Sequence, residues 1–224
     1  MACHGIEQLL DGSRDVTQLT SSNIARAMFT LAKAPAGRFQ TAAIERLILS
    51  TLSAFQHRLQ EFEGDDLPVF AWSICQLATG MQSRMVLDST KELLVEAAQM
   101  AQSALLTFHP QGICNIAFSL AKMDMLSHPG ALSFIRAVSA HSAAQIANWP
   151  PSAVSTFCVV LGKLGICAAA SDTKAREVKI KALSLSGSTL AQLQVPKAWK
   201  IRDFKKAADD ALSTSFSSIG DVVQ

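Results

Sequence analysis

The sequence predicts an all-α fold: an α-solenoid of about four helix-turn-helix repeats with a C-terminal closing helix. Three observations carry that prediction. The first is composition. The 224 residues include 34 Ala and are 49% apolar, with 17% charged residues, 6% aromatics and no Tyr. Strong helix formers are abundant and the strand-favouring aromatic class is thin. Such a chain is neither disordered nor collagen-like, and it does not read as an all-β sandwich. The second is an internal repeat. Four segments align without gaps: 21–34 (SSNIARAMFTLAKA), 67–80 (LPVFAWSICQLATG), 110–123 (PQGICNIAFSLAKM) and 151–164 (PSAVSTFCVVLGKL). Their anchors, Leu31, Leu77, Leu120 and Leu161, are 46, 43 and 41 residues apart. That period holds two helices and two turns. The third is the pattern inside each copy. Ile24, Phe70, Ile113 and Val154 stand seven residues before the anchor, and Met28, Ile74, Ala117 and Cys158 three before it. Together they form one apolar helical face per copy.

The elements follow in order. Residues 1–12 read as a fragment of a preceding helix. Each repeat opens with a first helix carrying the apolar columns. Pro110 and Pro151 suit the first helical turn, where a missing N–H has no partner to lose. Ser21 or Ser22 supplies a cap instead. Phe108 and Trp149, just outside two of these starts, are placed to staple the incoming chain. Ala32, Ala78, Ala121 and Gly162 follow the anchors, small residues that admit a neighbouring helix. The second helices are expected over 38–61, 84–106, 129–148 and, more weakly because of Gly187, 174–195. Turn chemistry at 34–37, 63–66 and 127–130 separates them. The domain reading is one helical-repeat domain, 1–195, followed by a capping helix and tail, 196–224, with the closing helix over 196–216.

Phe108, Pro110, Gln111, Ile113, Asn115, Phe118 and Leu120-Ala121-Lys122 resemble the first-helix signature of octotricopeptide repeats, of heptatricopeptide-like repeats and of the FAST-kinase-like family, F-x-P-Q-x-L-x-N-x-x-W-x-L-A-K-L. The first copy keeps Ile24, Phe29 and Leu31-Ala32-Lys33, with Arg26 at the Asn position. The fourth keeps Trp149, Pro151, Leu161 and Lys163. The second is the most divergent, with Trp72 at the Asn position and Thr79 at the Lys position. The resemblance covers about residues 19–195 and implies an organellar protein, mitochondrial or plastid. It implies binding of single-stranded or ribosomal RNA in RNA maturation, stability or translation, or membership of an organellar ribosome among other subunits.

A polar stripe runs along three of the first helices. It comprises Ser22, Arg26, Thr30 and Lys33; Gln111, Asn115, Ser119 and Lys122; and Ser152, Thr156 and Lys163. The spacing places each set on one face, expected opposite the core. Two readings stand side by side: a row of side chains meeting RNA base edges, with Lys drawing phosphates, or an ordinary solvated face. A second candidate is the basic segment 172–206, with nine Lys or Arg against three acids. There Trp199 and Phe204 interleave with Lys197, Lys200, Arg202, Lys205 and Lys206, as in backbone-binding surfaces. The alternatives there are a solvated end helix, RNA phosphate contact or docking on a larger assembly.

The net charge of +2 implies no polyanion partner by itself. Cys3, Cys75, Cys114, Cys158 and Cys167 form no CxxC pair and read as small buried apolar residues in a reducing compartment. The five His show no metal-ligand spacing, and no phosphate-binding loop, dinucleotide fingerprint or GxSxG elbow is written. The expectation is a non-enzymatic protein without catalytic residues, metal or cofactor. No membrane span is expected, because 153–170 is interrupted by Gly162, Lys163 and Gly165. Residues 1–16 show neither a secretory core nor an Arg-rich transit pattern. Two function classes remain: an organellar RNA-binding helical repeat, or a structural adaptor of a large complex that binds protein.

Overall fold

The computed structural model describes the backbone of residues 2–35, 37–56, 58–164, 167–171, 177–183 and 189–196, and side chains within 5–164 apart from 36, 57, 143, 144 and 147. The chain divides into two compact units, Met1–Phe134 and Ile135–Gln224. The first unit holds α1 (Ala2–Leu10), α2 (Ser21–Ala32), α3 (Thr41–Phe55), α4 (Asp66–Thr79), α5 (Arg84–Ser103), α6 (Pro110–Lys122) and the first turns of α7 (Pro129–Gln145). Helix α2 packs on α4 and α4 on α6, while α1 packs on α3 and α3 on α5. First helices thus stack on first helices and second on second, with α5 also touching α4 and α6.

The apolar columns explain that packing. Ile24, Phe70 and Ile113 are buried, as are Met28, Ile74 and Ala117. Each pair stands four residues apart on one helical face, so every first helix presents the same ridge to its neighbours. The anchors Leu31 and Leu120 are buried, whereas Leu77 is half-buried. Among the small residues, Ala78 and Ala121 lie inside the stack and Ala32 is half-buried. Gly162 departs from the expectation. It is exposed, and among the described residues nothing stands within 4 Å of a Cβ built there, so none of the described helices needs its small size.

The joints are regular too. Single 3₁₀ turns at Val16–Gln18, Leu59–Glu61, Leu105–Thr107 and Ile146–Asn148 each precede a first helix. The second helices are therefore shorter than the apolar stripe suggests: α3 ends at Phe55 and α5 at Ser103, and the last apolar residues belong to the tighter turn. After each turn an extended residue, Leu19, Phe62, Phe108 or Trp149, leads into the next helix. Phe62 stacks on Phe70 at 4.7 Å and meets Phe55 edge-on at 5.6 Å. In the second unit Trp149 meets Phe157 edge-on at 6.1 Å. The cap of α2 is Thr20, whose hydroxyl accepts the Asn23 N–H at 3.3 Å. Ser21, expected as a cap, instead donates its hydroxyl to the Glu61 carbonyl at 2.8 Å. Asp65 makes no side-chain cap on its own helix α4, and its carboxylate accepts the His109 N–H at the start of α6.

The second unit contains the rest of α7, α8 (Pro151–Lys163) and three strands, β1 (Cys167–Ser171), β2 (Glu177–Leu183) and β3 (Thr189–Pro196). The strands form an antiparallel sheet in the order β1-β2-β3, and β3 lies by the turn Ile146–Asn148. The chain is helical through α8, but the expectation of no sheet, and of a second helix over 174–195, does not hold here. The physical reason is a period of two. Val178, Ile180 and Ala182 alternate with Lys179 and Lys181, and Ala191, Leu193 and Val195 alternate with Gln192 and Gln194. The register sets Val178 opposite Val195, Ile180 opposite Leu193 and Ala182 opposite Ala191. The same register sets Lys179 opposite Gln194 and Lys181 opposite Gln192. The closing helix expected over 196–216, beyond its first residue, lies outside the described residues.

Candidate functional site

The polar stripe of the first unit lies along the flank on which the first helices stack, rather than opposite the core. On α2, Arg26 and Lys33 are exposed and Ser22 and Thr30 half-buried. On α6, Gln111, Asn115 and Lys122 are half-buried and Ser119 is fully buried. Gln111 Nε2 donates to Asn115 Oδ1 at 3.1 Å, and Lys122 Nζ donates to Gln76 Oε1 of α4 at 2.5 Å. A stripe in which one helix reaches the next is a seam, not a free face.

Three hydroxyls of the stripe share one habit. Thr30 donates to the Arg26 carbonyl at 2.9 Å, Ser119 to the Asn115 carbonyl at 2.8 Å and Thr156 to the Ser152 carbonyl at 2.8 Å. Back-bonding of this kind satisfies the hydroxyl proton inside the helix and leaves only its lone pairs. For Ser119, buried as well, this removes it from any set of ligand contacts. Thr30 and Thr156 keep an acceptor role only.

Sequence reasoning passed over the residues that complete the seam. Phe29 of α2 and Trp72 of α4 stand with ring centroids 5.7 Å apart and planes at 44°. Lys33 Nζ lies 5.0 Å from the Trp72 centroid and 5.8 Å from that of Phe29. Phe29 is 39% exposed, a large apolar ring left partly in water. The signal was in the alignment: Trp72 occupies the column of Arg26 and Asn115, and Gln76 that of Thr30 and Ser119. The copy that departs most from the signature fills the gap between its neighbours.

The charge of this surface is one-sided. Helices α2, α4 and α6 contain a single carboxylate, Asp66, in the first turn of α4, whereas Arg26, Lys33 and Lys122 belong to the seam. Cations over aromatic faces are attracted by the ring quadrupole, by about 0.5–1 kcal/mol at exposed sites. An assembly of rings, cations and amides suits a polyanion with stackable groups.

The other expected residues are not brought into this site. Thr156 and Lys163 lie on α8 in the second unit, half-buried and exposed respectively. Lys197, Lys200, Arg202, Lys205 and Lys206 lie outside the described residues. Among the described residues no group of three His, Cys, Asp or Glu could hold a metal ion, and no helix is long and apolar enough to cross a membrane. Cys75 and Cys114 are fully buried, and burial pushes the Cys158 thiol up to about 11. No family model matches this sequence, and no curated protein or solved structure is significantly similar to it.

Proposed function

We propose that this chain is a non-enzymatic helical-repeat protein that binds single-stranded RNA along the seam of its stacked first helices. In this reading the helix pairs are repeats of an α-solenoid of the octotricopeptide, heptatricopeptide-like and FAST-kinase-like kind. They act in RNA maturation, stability or translation in a mitochondrion or plastid, or as part of an organellar ribosome. The observation that carries the reading is the Phe29–Trp72 pair beneath Lys33. Bases stack on aromatic rings with about 1–3 kcal/mol each, and neighbouring cations track the phosphates. Arg26, Gln111, Asn115 and Lys122 extend the same surface across α2 and α6. The test is fluorescence anisotropy with a labelled single-stranded RNA. Trp72→Leu lowers affinity about tenfold if a base stacks there. Equal affinity in the wild type and the variant removes the seam from the binding surface.

A second reading, a structural adaptor that holds proteins, has two exposed apolar residues in its favour: Leu106, 81% exposed, and Met85, 60% exposed. Pull-down from organelles with and without RNase separates the two. Partners retained after RNase support the adaptor, and partners lost support RNA binding.

A further inference from the structure

The hydrogen bond between Gln76 and Lys122 fixes which way one amide of the seam faces. Lys122 Nζ can only donate, so the atom that meets it at 2.5 Å is the Gln76 carbonyl oxygen. The nitrogen of the same amide, Nε2, carries two donor hydrogens and has no acceptor among the described residues. Gln76 is half-buried and stands one helical turn beyond Trp72 on α4, so the amide and the Trp72 ring share one face. Asn115, in the column of Trp72 on α6, has the same polarity. Its Oδ1 accepts from Gln111 Nε2 at 3.1 Å, and its own nitrogen remains as the donor.

A flat ring laid on Trp72 therefore meets donors along its edge. The Lys122 ammonium, in contact with the Gln76 amide, keeps the potential there positive. The four RNA bases differ in what they bring to such an edge. Guanine presents two neighbouring acceptors, O6 and N7, with no donor between them. Adenine places its N6 amino group beside N7, which sets donor against donor at one of the two positions. Uracil separates its two carbonyls by an N–H. Cytosine has neighbouring acceptors in O2 and N3, on the smaller pyrimidine face. Of the four, guanine alone joins an acceptor pair of this kind to the larger purine face, which covers more of the indole.

We infer that the step from α4 to α6 in the seam is a guanine site, with the base on Trp72 and its O6 and N7 edge turned to the Gln76 amide nitrogen and the Lys122 ammonium. Gln76 is then the residue that sets specificity, and Lys122 holds its amide in the selective orientation. The inference rests on the RNA reading of the seam and adds to it a base preference at one position.

The experiment measures fluorescence anisotropy with labelled oligouridylates of one length. At one central position they carry guanine, adenine, cytosine, uracil, hypoxanthine or 7-deazaguanine. Wild-type protein is expected to bind the guanine strand about tenfold more tightly than the adenine strand, within the range of a good bidentate base contact. The hypoxanthine strand keeps O6 and N7 and lacks the 2-amino group, and is expected to match guanine. The 7-deazaguanine strand lacks the N7 acceptor, and is expected to lose most of the advantage over adenine. Gln76→Met, similar in length and without a donor, is expected to abolish the preference for guanine over adenine. Equal binding of all six strands by the wild type overturns the guanine site and leaves the seam standing. A preference for adenine or a pyrimidine overturns it too. A guanine preference that survives Gln76→Met, or that is lost with hypoxanthine, also overturns it. Absence of binding to every strand overturns the seam and the guanine site together.

Discussion

Asp65 Oδ1 accepts the backbone N–H of His109 at 3.2 Å, so the residue just before α4 caps the start of α6, 44 positions further along the chain. His109 continues the arrangement by accepting the Gln111 N–H on Nδ1 at 3.4 Å. One donor at this helix start is thus satisfied from the preceding repeat and one by the helix's own cap. A charged oxygen facing the positive end of α6 adds a favourable dipole interaction. The same loop holds the preceding repeat, since the Glu61 carbonyl accepts the Ser21 hydroxyl and Arg58 donates to Thr17. Polar links of this kind fix how far one repeat is rotated on the next.

Gly112 reports on that junction. A Cβ built on it would stand 2.9 Å from Asp65 Oδ1 and 3.0 Å from Pro68 Cγ. The Asp65 carboxylate can swing aside, at the cost of its bond to His109, but the Pro68 ring cannot. Overpacking costs about 1–3 kcal/mol and the gain in helix propensity is about 1 kcal/mol, less in a first turn. Gly112→Ala is expected to destabilise by roughly 1 kcal/mol net. Asp65→Ala is expected to cost about as much through the lost cap. The two losses should be less than additive, because the first change already displaces the Asp65 oxygen. Urea unfolding of both single variants and the double variant measures this, and full additivity would refute the shared mechanism.

Leu120 is fully buried at the anchor position of α6. Leu120→Asp places a carboxylate among the side chains that α4, α5 and α6 bury together. A buried unpaired charge costs on the order of 3 kcal/mol or more, and the variant should lose most of its cooperative unfolding transition. Leu77→Asp, at the half-buried anchor, should cost less. A thermal melt of the two variants beside the wild type compares them, and equal losses would mean that the difference in burial does not govern the cost.

The helices were legible in the sequence because their signal is redundant. Each first helix repeats the spacing of Ile24, Met28 and Leu31, so one column checks another. What was not legible has physical causes. The stripe residues are expected opposite the core because periodicity gives the angle of a residue around its helix, not which neighbour arrives there. Gln76 meeting Lys122, or Trp72 meeting Phe29, depends on the stagger between helices. The strands are hidden when 174–195 is read on a period of 3.6, with Gly187 as an interruption. The alternation of Val178, Ile180 and Ala182 with Lys179 and Lys181 has a period of two. Gly187 itself lies outside the described residues.

Cys158 gives a pH dependence with a definite sign. Burial raises its thiol from 9.0 to about 11 in the folded chain, so the unfolded chain ionises first as pH rises. The stability linked to the protonated thiol is complete below about pH 9 and is lost between about pH 9 and 11. Between pH 8 and 10 the wild type should lose about 1 kcal/mol more than Cys158→Ala. Denaturant titrations at the two pH values provide the comparison, and equal losses would show that the thiol is exposed to water. The same raised value predicts slow alkylation of Cys158 at pH 8, because the thiolate is the reactive form.

The seam predicts how salt and sequence separate in RNA binding. Each phosphate contact contributes about 0.7 to the log–log salt slope for a single strand. Arg26 and Lys33 are exposed cations on α2, so Arg26→Gln and Lys33→Gln should each lower the slope by about 0.7. Trp72→Leu should weaken binding at every salt concentration and leave the slope unchanged, because stacking releases no counterion. Asn115→Ala should alter base preference with little change in slope, since an amide contacts base edges rather than phosphate charge. Lys197, Lys200, Arg202, Lys205 and Lys206 form the other concentration of charge in the sequence. If all five touch phosphates, neutralising them together lowers the slope by about 3.5, far more than the seam cations can. Anisotropy titrations from low to moderate salt resolve these slopes. A slope that responds only to the five C-terminal cations would assign phosphate binding to that segment and leave Phe29, Lys33 and Trp72 as a packing cluster between α2 and α4.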